Sequence, residues 1–256
     1  SALLAVPRRS EASVVLNREL GWVYHQQGRL NDARLAIHEA LNGAEVHEAP
    51  VELRVRLLNS LSRVYLDLRD PDRARELNEQ AAVELQRSGG GNGVLLAVTL
   101  NNRAEIYRRS GALDAAAETY FEALSHLRRE SASHGSLEAT TVNNLATLYA
   151  DTGNFRASLE SYRQAVALWK ELRGENDPLY AQGLANMATV YTELGRYAEA
   201  RQCYTQALTV LETTLGEDHV RVGNLLGNYA YLLRKSGEDR QAGRMESRAR
   251  KILIRH

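Results

Sequence analysis

Apolar and small residues recur along this chain at spacings of three and four, in stretches long enough for a helix and separated by short polar turns. That spacing predicts amphipathic helices. Residues 184–207, LANMATVYTELGRYAEARQCYTQA, give the motif in full: one such stretch, a turn at Gly195, and a second stretch. The motif repeats. Tyr191, Gly195, Tyr204 and Ala207 are matched 42 residues upstream by Tyr149, Gly153, Tyr162 and Ala165, and 42 further by Tyr107, Gly111, Tyr120 and Ala123. Downstream the register reaches Leu233, Gly237, Ala242 and Ala249. Upstream it reaches Tyr65, Ala74 and Ala81, then, after a step of 41, Tyr24, Gly28, Ala33 and Ala40. Self-similarity at this period predicts stacked supersecondary units that bury their apolar faces on one another. Six repeats are expected, at about 12–49, 50–92, 93–134, 135–176, 177–218 and 219–254, forming one domain over residues 1–256.

Each repeat reads as a helix A, a turn and a helix B. Gly28 ends the first helix A, because the residue past a helix end often takes a left-handed backbone. The second repeat has Arg69 there instead, followed by Asp70-Pro71, which read as an N-cap and a first helical residue. SGGGNG (Ser88 to Gly93) falls where other repeats have their connecting loops, so it is read as a loop and not a domain boundary. In the later loops, RGENDP and LGEDHV, Asn176 and Asp218 are expected to cap the following helices, with His219 part of a helix start. Small residues fill two columns of the register. Gly21, Ser62, Ala104, Ala146, Ala188 and Ala230 stand three before the Tyr column, and Ala33, Ala74, Ala116, Ser158, Ala200 and Ala242 stand early in helix B. Together they let the two helices of a repeat approach closely. Ala40, Ala81, Ala123, Ala165, Ala207 and Ala249 lie seven residues on, where the next repeat would dock.

Composition narrows the function. Lys plus Arg equals Asp plus Glu, 32 of each, so no global field gathers nucleic acid or anionic lipid. The excess of cations is confined to Arg234–His256, where a solvated face on the last helix is the plainer reading. The single cysteine, Cys203, permits no disulfide within the chain and reads as a small core residue. No apolar run approaches the roughly 18 residues of a membrane span. The opening SALLAVPRRS has too short an apolar stretch for a secretory signal and lacks an initiator Met, which suggests a processed start or a piece of a longer protein. A cytoplasmic location is expected. The seven His are scattered without paired ligand spacing, and no GxGxxG or phosphate-binding loop is present. A non-catalytic protein needing no cofactor or metal is the expectation.

The order of small residue, Tyr, Gly, Ala, Tyr and Ala at fixed offsets resembles the tetratricopeptide repeat family. The 42-residue period and the segments LNNRAEIY (Leu100 to Tyr107), VNNLATLY (Val142 to Tyr149) and LGEDHV are similar to its kinesin light chain type. The resemblance implies an all-α, right-handed superhelical solenoid whose helix A faces line a concave groove. It places in that groove the residue five before the Tyr column: Glu19, Ser60, Asn102, Asn144, Asn186 and Asn228. An amide both donates and accepts, so four successive asparagines can hold an extended peptide by its main chain. The alternative is that they hydrogen-bond between neighbouring helices, since Asn is a poor helix former and asks for a polar partner.

Two flanking columns would set ligand preference. One, two before the Tyr, carries Trp22, Arg63, Glu105, Thr147, Thr189 and Tyr231. The other, two after it, carries Gln26, Asp67, Arg109, Asp151, Glu193 and Lys235. Asp151 and Glu193 make the fourth and fifth repeats acidic, which points to a basic or neutral peptide there. The expected partner is a protein or peptide, with no nucleic acid and no membrane. The rival reading is a self-associating or autoinhibitory module controlling an attached effector domain, with a homo-oligomer as one form. The polar sequence of the last helix B disfavours stacking at that end, whereas ALLAV leaves room for it at the other.

Overall fold

The computed structural model describes residues 11–89, 92–129 and 134–254. The N-terminal ALLAV and the centres of the loops near 90 and 132 lie outside them. Within them the chain forms twelve helices and no strand: α1 (Glu11–Gln26), α2 (Leu30–Val46), α3 (Val51–Asp67), α4 (Pro71–Arg87), α5 (Gly93–Arg109), α6 (Leu113–Arg129), α7 (Gly135–Asp151), α8 (Phe155–Arg173), α9 (Pro178–Glu193), α10 (Tyr197–Leu215), α11 (Val220–Lys235) and α12 (Asp239–Leu253). Odd-numbered helices are the A helices and even-numbered ones the B helices. Two compact units divide the chain, Ser1–Ser131 and Ala132–His256, each holding three A–B hairpins. The architecture is an all-α repeat solenoid.

One turn closes every hairpin. The N–H five residues past the Tyr column donates to the Tyr carbonyl in all six repeats, from Arg29 to Tyr24 (2.9 Å) through Glu238 to Leu233 (2.8 Å). This is the long bond of a Schellman ending, which needs a left-handed residue just past the helix. Glycine supplies it in five repeats, for example Gly195 at φ 70°, and Arg69 supplies it in the second at φ 63°. Asp70 then caps α4 by accepting from the Arg73 N–H at 3.1 Å, with Pro71 opening the helix.

Two expected caps fall one residue later than the sequence suggested. Asp177, not Asn176, caps α9, accepting from the Leu179 N–H at 2.8 Å, and His219, not Asp218, caps α11 through Nδ1 from the Arg221 N–H at 3.1 Å. The reason is Pro178, whose fixed φ suits the first helical position and so hands the cap to the residue directly before it. The 42-residue register carries the same geometry to His219. The loop SGGGNG also contains a cap: Asn92 accepts from the Leu95 N–H at 3.0 Å and starts α5.

The small-residue columns are closed. Ser62, Ala104, Ala146 and Ala188 are fully buried, as are Ala33, Ala74, Ala116, Ser158, Ala200 and Ala242. A Cβ on Gly21 would overlap Ile37 of the facing helix. Where serine replaces alanine, its hydroxyl finds the carbonyl across the contact. Ser62 donates to Ala74 O (2.7 Å) in one hairpin, and in another Ser158 donates to Ala146 O (2.8 Å). A buried hydroxyl is tolerated because it is paired.

Candidate functional site

In the first unit, α1, α3 and α5 share one face, and a cavity of about 660 Å³ opens on it. Its lining includes Arg18, Glu19 and Trp22 of α1, Arg56, Asn59, Ser60 and Arg63 of α3, and Asn102 of α5. Sequence-selected positions 19, 22, 60, 63 and 102 are thus brought together. Arg18 is neutralised by Glu19 at 2.6 Å. Arg63 stands 3.7 Å from Asp67, and its Nε is buried without a hydrogen bond among the described residues.

The asparagine column is tied to the neighbouring repeat. Asn102 Nδ2 donates to Asn59 O at 3.2 Å, and Asn59 Nδ2 donates in turn to Thr99 Oγ1 at 2.8 Å. In the second unit Asn186 Nδ2 donates to Asn143 Oδ1 at 3.1 Å. Each bond uses a second column, six before the Tyr, that the sequence reading passed over. The doublets in LNNRAEIY and VNNLATLY were its signal. Asn144 accepts from Asn143 Nδ2 at 3.4 Å. Asn228 differs: Ala185 occupies the place from which a partner would come, and Asn228 is exposed with no hydrogen bond among the described residues.

The column two before the Tyr is largely spent on joining A to B. Thr147 meets the Tyr162 hydroxyl at 2.8 Å, Thr189 meets that of Tyr204 at 3.0 Å, and Glu105 accepts from that of Tyr120 at 3.1 Å. Each pair is 15 residues apart, so the same A position holds the same B tyrosine in three repeats. The ends of the column, Trp22 and Tyr231, are exposed, and Lys235 lies over the Tyr231 ring.

Charges in the first unit form a chain. His25 bonds Asp67 at 2.8 Å, and Arg109 bonds Asp67 (3.1 Å), the Leu66 carbonyl (2.7 Å) and Glu105 (2.7 Å). Arg108 closes on Glu105 at 2.8 Å. Burial opposes ionisation of Glu105, but the hydrogen bonds and charges of Arg108 and Arg109 outweigh it and hold the carboxyl down at about 2. Asp67 is lowered likewise: burial opposes the shift, and His25, Arg63 and Arg109 overcome it. In the second unit Asp151, Glu193 and Lys235 are exposed.

Among the described residues no group of His, Cys, Asp and Glu is placed to hold a metal ion, and no helix is long and apolar enough to cross a membrane. Burial pushes the Cys203 thiol up, away from thiolate chemistry.

No curated protein matches the chain. Among solved structures, a Rap protein complexed with competence and sporulation factor is 15% identical, with 96% of this chain and 76% of that chain covered and a TM-score of 0.71. NprR in complex with its cognate peptide NprX is 16% identical, covering 91% and 68%, at a TM-score of 0.72. Kinesin light chain-like repeats from Podosopora anserina are 19% identical, covering 80% and 99%, at 0.53. At such identities the likeness is one of fold. The tetratricopeptide repeat family itself matches residues 53–129, 137–213 and 183–255. The first hairpin lies outside those spans but keeps their register, with Tyr24, Gly28, Ala33 and Ala40 in the family columns. This chain belongs to the tetratricopeptide repeat family.

Proposed function

We propose that this protein is a non-catalytic scaffold that captures a peptide or disordered segment of a partner protein on its helix A faces. The observation that carries the reading is the state of the asparagine amides. Asn102 and Asn186 each give an N–H to the neighbouring repeat, while neither Oδ1 makes a hydrogen bond among the described residues. One bond therefore fixes the rotamer and leaves an acceptor for the N–H of an extended chain. An acceptor held in place before binding loses little entropy on capture. Two proteins of like fold, the Rap protein and NprR, are seen in complex with competence and sporulation factor and with a cognate peptide, which supports the same use here. The ligand preference differs between units. The cavity of the first unit is lined by three arginines and one glutamate, whereas the second presents Asp151 and Glu193 against Lys235. A segment on the second unit is neutral or basic.

The test is a random peptide selection on the whole chain, followed by titration of the selected peptides. Asn228→Ala is the informative variant, because Asn228 is exposed and makes no hydrogen bond among the described residues, so its loss is read on the ligand. Selective peptides that bind Asn228→Ala several-fold more weakly, at unchanged melting temperature, are expected. Failure to select any peptide, or binding by Asn228→Ala and Asn186→Ala equal to that of wild type, would overturn the peptide role of this column.

A further inference from the structure

Arg63 is used differently from its counterparts in the register. Two before the Tyr column, Glu105, Thr147 and Thr189 each bond a B-helix tyrosine 15 residues on. In the second repeat that place is taken by Asn78. Asn78 is buried and both ends of its amide are spent elsewhere. Nδ2 donates to the Thr99 carbonyl at 2.9 Å, and Oδ1 accepts from Arg103 Nε at 3.2 Å. Arg63 therefore finds no hydrogen-bond partner on α4 among the described residues, and it lines the cavity of the first unit. The carboxylate it faces, Asp67 at 3.7 Å, is beyond hydrogen-bond reach. Both Asp67 oxygens are already taken, Oδ2 by His25 and Oδ1 by Arg109. Arg56 lies about two turns earlier on α3 and lines the same cavity. It is exposed and makes no ion pair among the described residues. Of the six residues that stand nine before the Tyr column, it is the one that carries a charge.

We propose that Arg56 and Arg63 select the segment captured on the first unit by pairing with its aspartate or glutamate side chains. The inference rests on the peptide reading above and adds the class of sequence that is captured. Three arginines against one glutamate leave the cavity lining with an excess of two positive charges. Arg18 is the one that Glu19 answers, so the excess sits on α3. A guanidinium offers paired N–H groups that match the two oxygens of a carboxylate. A bare anion would satisfy these donors and nothing more. Asn102 lines the same cavity, and its Oδ1 accepts no hydrogen bond among the described residues. An acceptor beside two cations asks for a ligand that both donates and carries negative charge. An acidic peptide does both, with a main-chain N–H for Asn102 and a side-chain carboxylate for the arginines. The chain's own opening, SALLAVPRRS, brings two arginines and no acid, so it does not complement the cavity.

The test selects short peptides from a random library on the full chain and counter-screens them on Arg56→Gln/Arg63→Gln. The probes are the peptides that wild type prefers, resynthesised with acetylated and amidated ends so that only side chains carry carboxylates. They should be richer in Asp and Glu than the library. Changing the acid to its amide should weaken binding to wild type about tenfold or more and leave binding to the double variant unchanged. Arg87→Gln, at an exposed position of α4 outside the cavity lining, should bind as wild type does. Arg56→Gln alone, at an exposed position, carries the test should the double variant melt lower. If peptides are selected but bind the arginine variants as tightly as wild type, or bind equally as amides, the arginine role is overturned while the peptide reading stands. If no peptide is selected, both are overturned. Binding that is lost on amidating the C-terminus gives the arginines to a chain end and overturns the side-chain pairing. Self-association that Arg56→Gln dissolves gives the cavity to a second copy and overturns capture of a partner's segment.

Discussion

Glu105 shows how a residue picked for a groove is used in the fold. It lies two before the Tyr column and is buried, with its oxygens taken by Arg108, Arg109 and the Tyr120 hydroxyl. Its folded carboxyl titrates at about 2 against an ordinary 4.5. A depressed carboxyl stabilises the fold fully above its unfolded value, and that contribution is lost as pH falls through the folded one. The window therefore runs from about pH 4.5 down to about 2, and Asp67, also lowered, adds in the same direction. A shift of this size corresponds to about 3 kcal/mol. Glu105→Gln also removes the carboxylate that Arg108 and Arg109 share, leaving Arg109 with the carboxylate of Asp67 alone, so at pH 7 it should lower stability by about 3 kcal/mol. The deficit should shrink towards pH 3, as wild type loses the same contribution. Urea midpoints for both proteins at the two pH values test this. A deficit that stays constant across the range would show that the carboxylate does not stabilise the fold through its charge.

At the scale of the element, six hairpins end helix A in one geometry, and a single one does so without glycine. Arg69 holds a left-handed backbone at φ 63° and is exposed. A side chain there costs roughly 1–2 kcal/mol, partly offset because glycine leaves more entropy to lose on folding. Arg69→Gly should therefore stabilise the protein by about 0.5–1 kcal/mol, read as a higher urea midpoint with unchanged slope. A lower midpoint would mean that the turn is held by something other than backbone strain relief. These turns, and the small-residue columns that close each hairpin, were legible in sequence because every signal lies within one repeat. What crosses between repeats was legible only in part: bonding between neighbouring helices was one of two readings of the asparagine column, but the partner column was not seen. Asn102 to Asn59 spans 43 residues and joins two different columns, as does Asn186 to Asn143. Reading columns singly could list both asparagines of LNNRAEIY, yet it gave a role to only one. The charge chain from His25 to Glu105 was hidden in the same way, and the caps slipped by one residue because Pro178 sets its helix start from the following position.

For the whole molecule, the same locality sets how stability is distributed. Each unit, Ser1–Ser131 and Ala132–His256, contains three complete hairpins, about the smallest number with which a repeat array buries a continuous core. The first unit has its own apolar cluster, running from Val14 and Ile37 through Leu57, Leu61 and Tyr65 to Leu95 and Ile106. The second buries Trp169, Tyr204, Leu226 and Leu232 almost completely. Because repeat stability is a sum of intrinsic and nearest-neighbour terms, a fragment of residues 132–256 should fold alone. It should give a helical circular dichroism spectrum and a cooperative melt at a lower temperature than the full chain. If the fragment is unfolded at 25 °C, the six repeats form one obligate domain. The single domain expected from the register would then describe the chain better than two units. A folded fragment would also let Asn186→Ala and Asn228→Ala be tested with no contribution from the cavity on α1, α3 and α5, so the two proposed ligand faces could be tested one at a time.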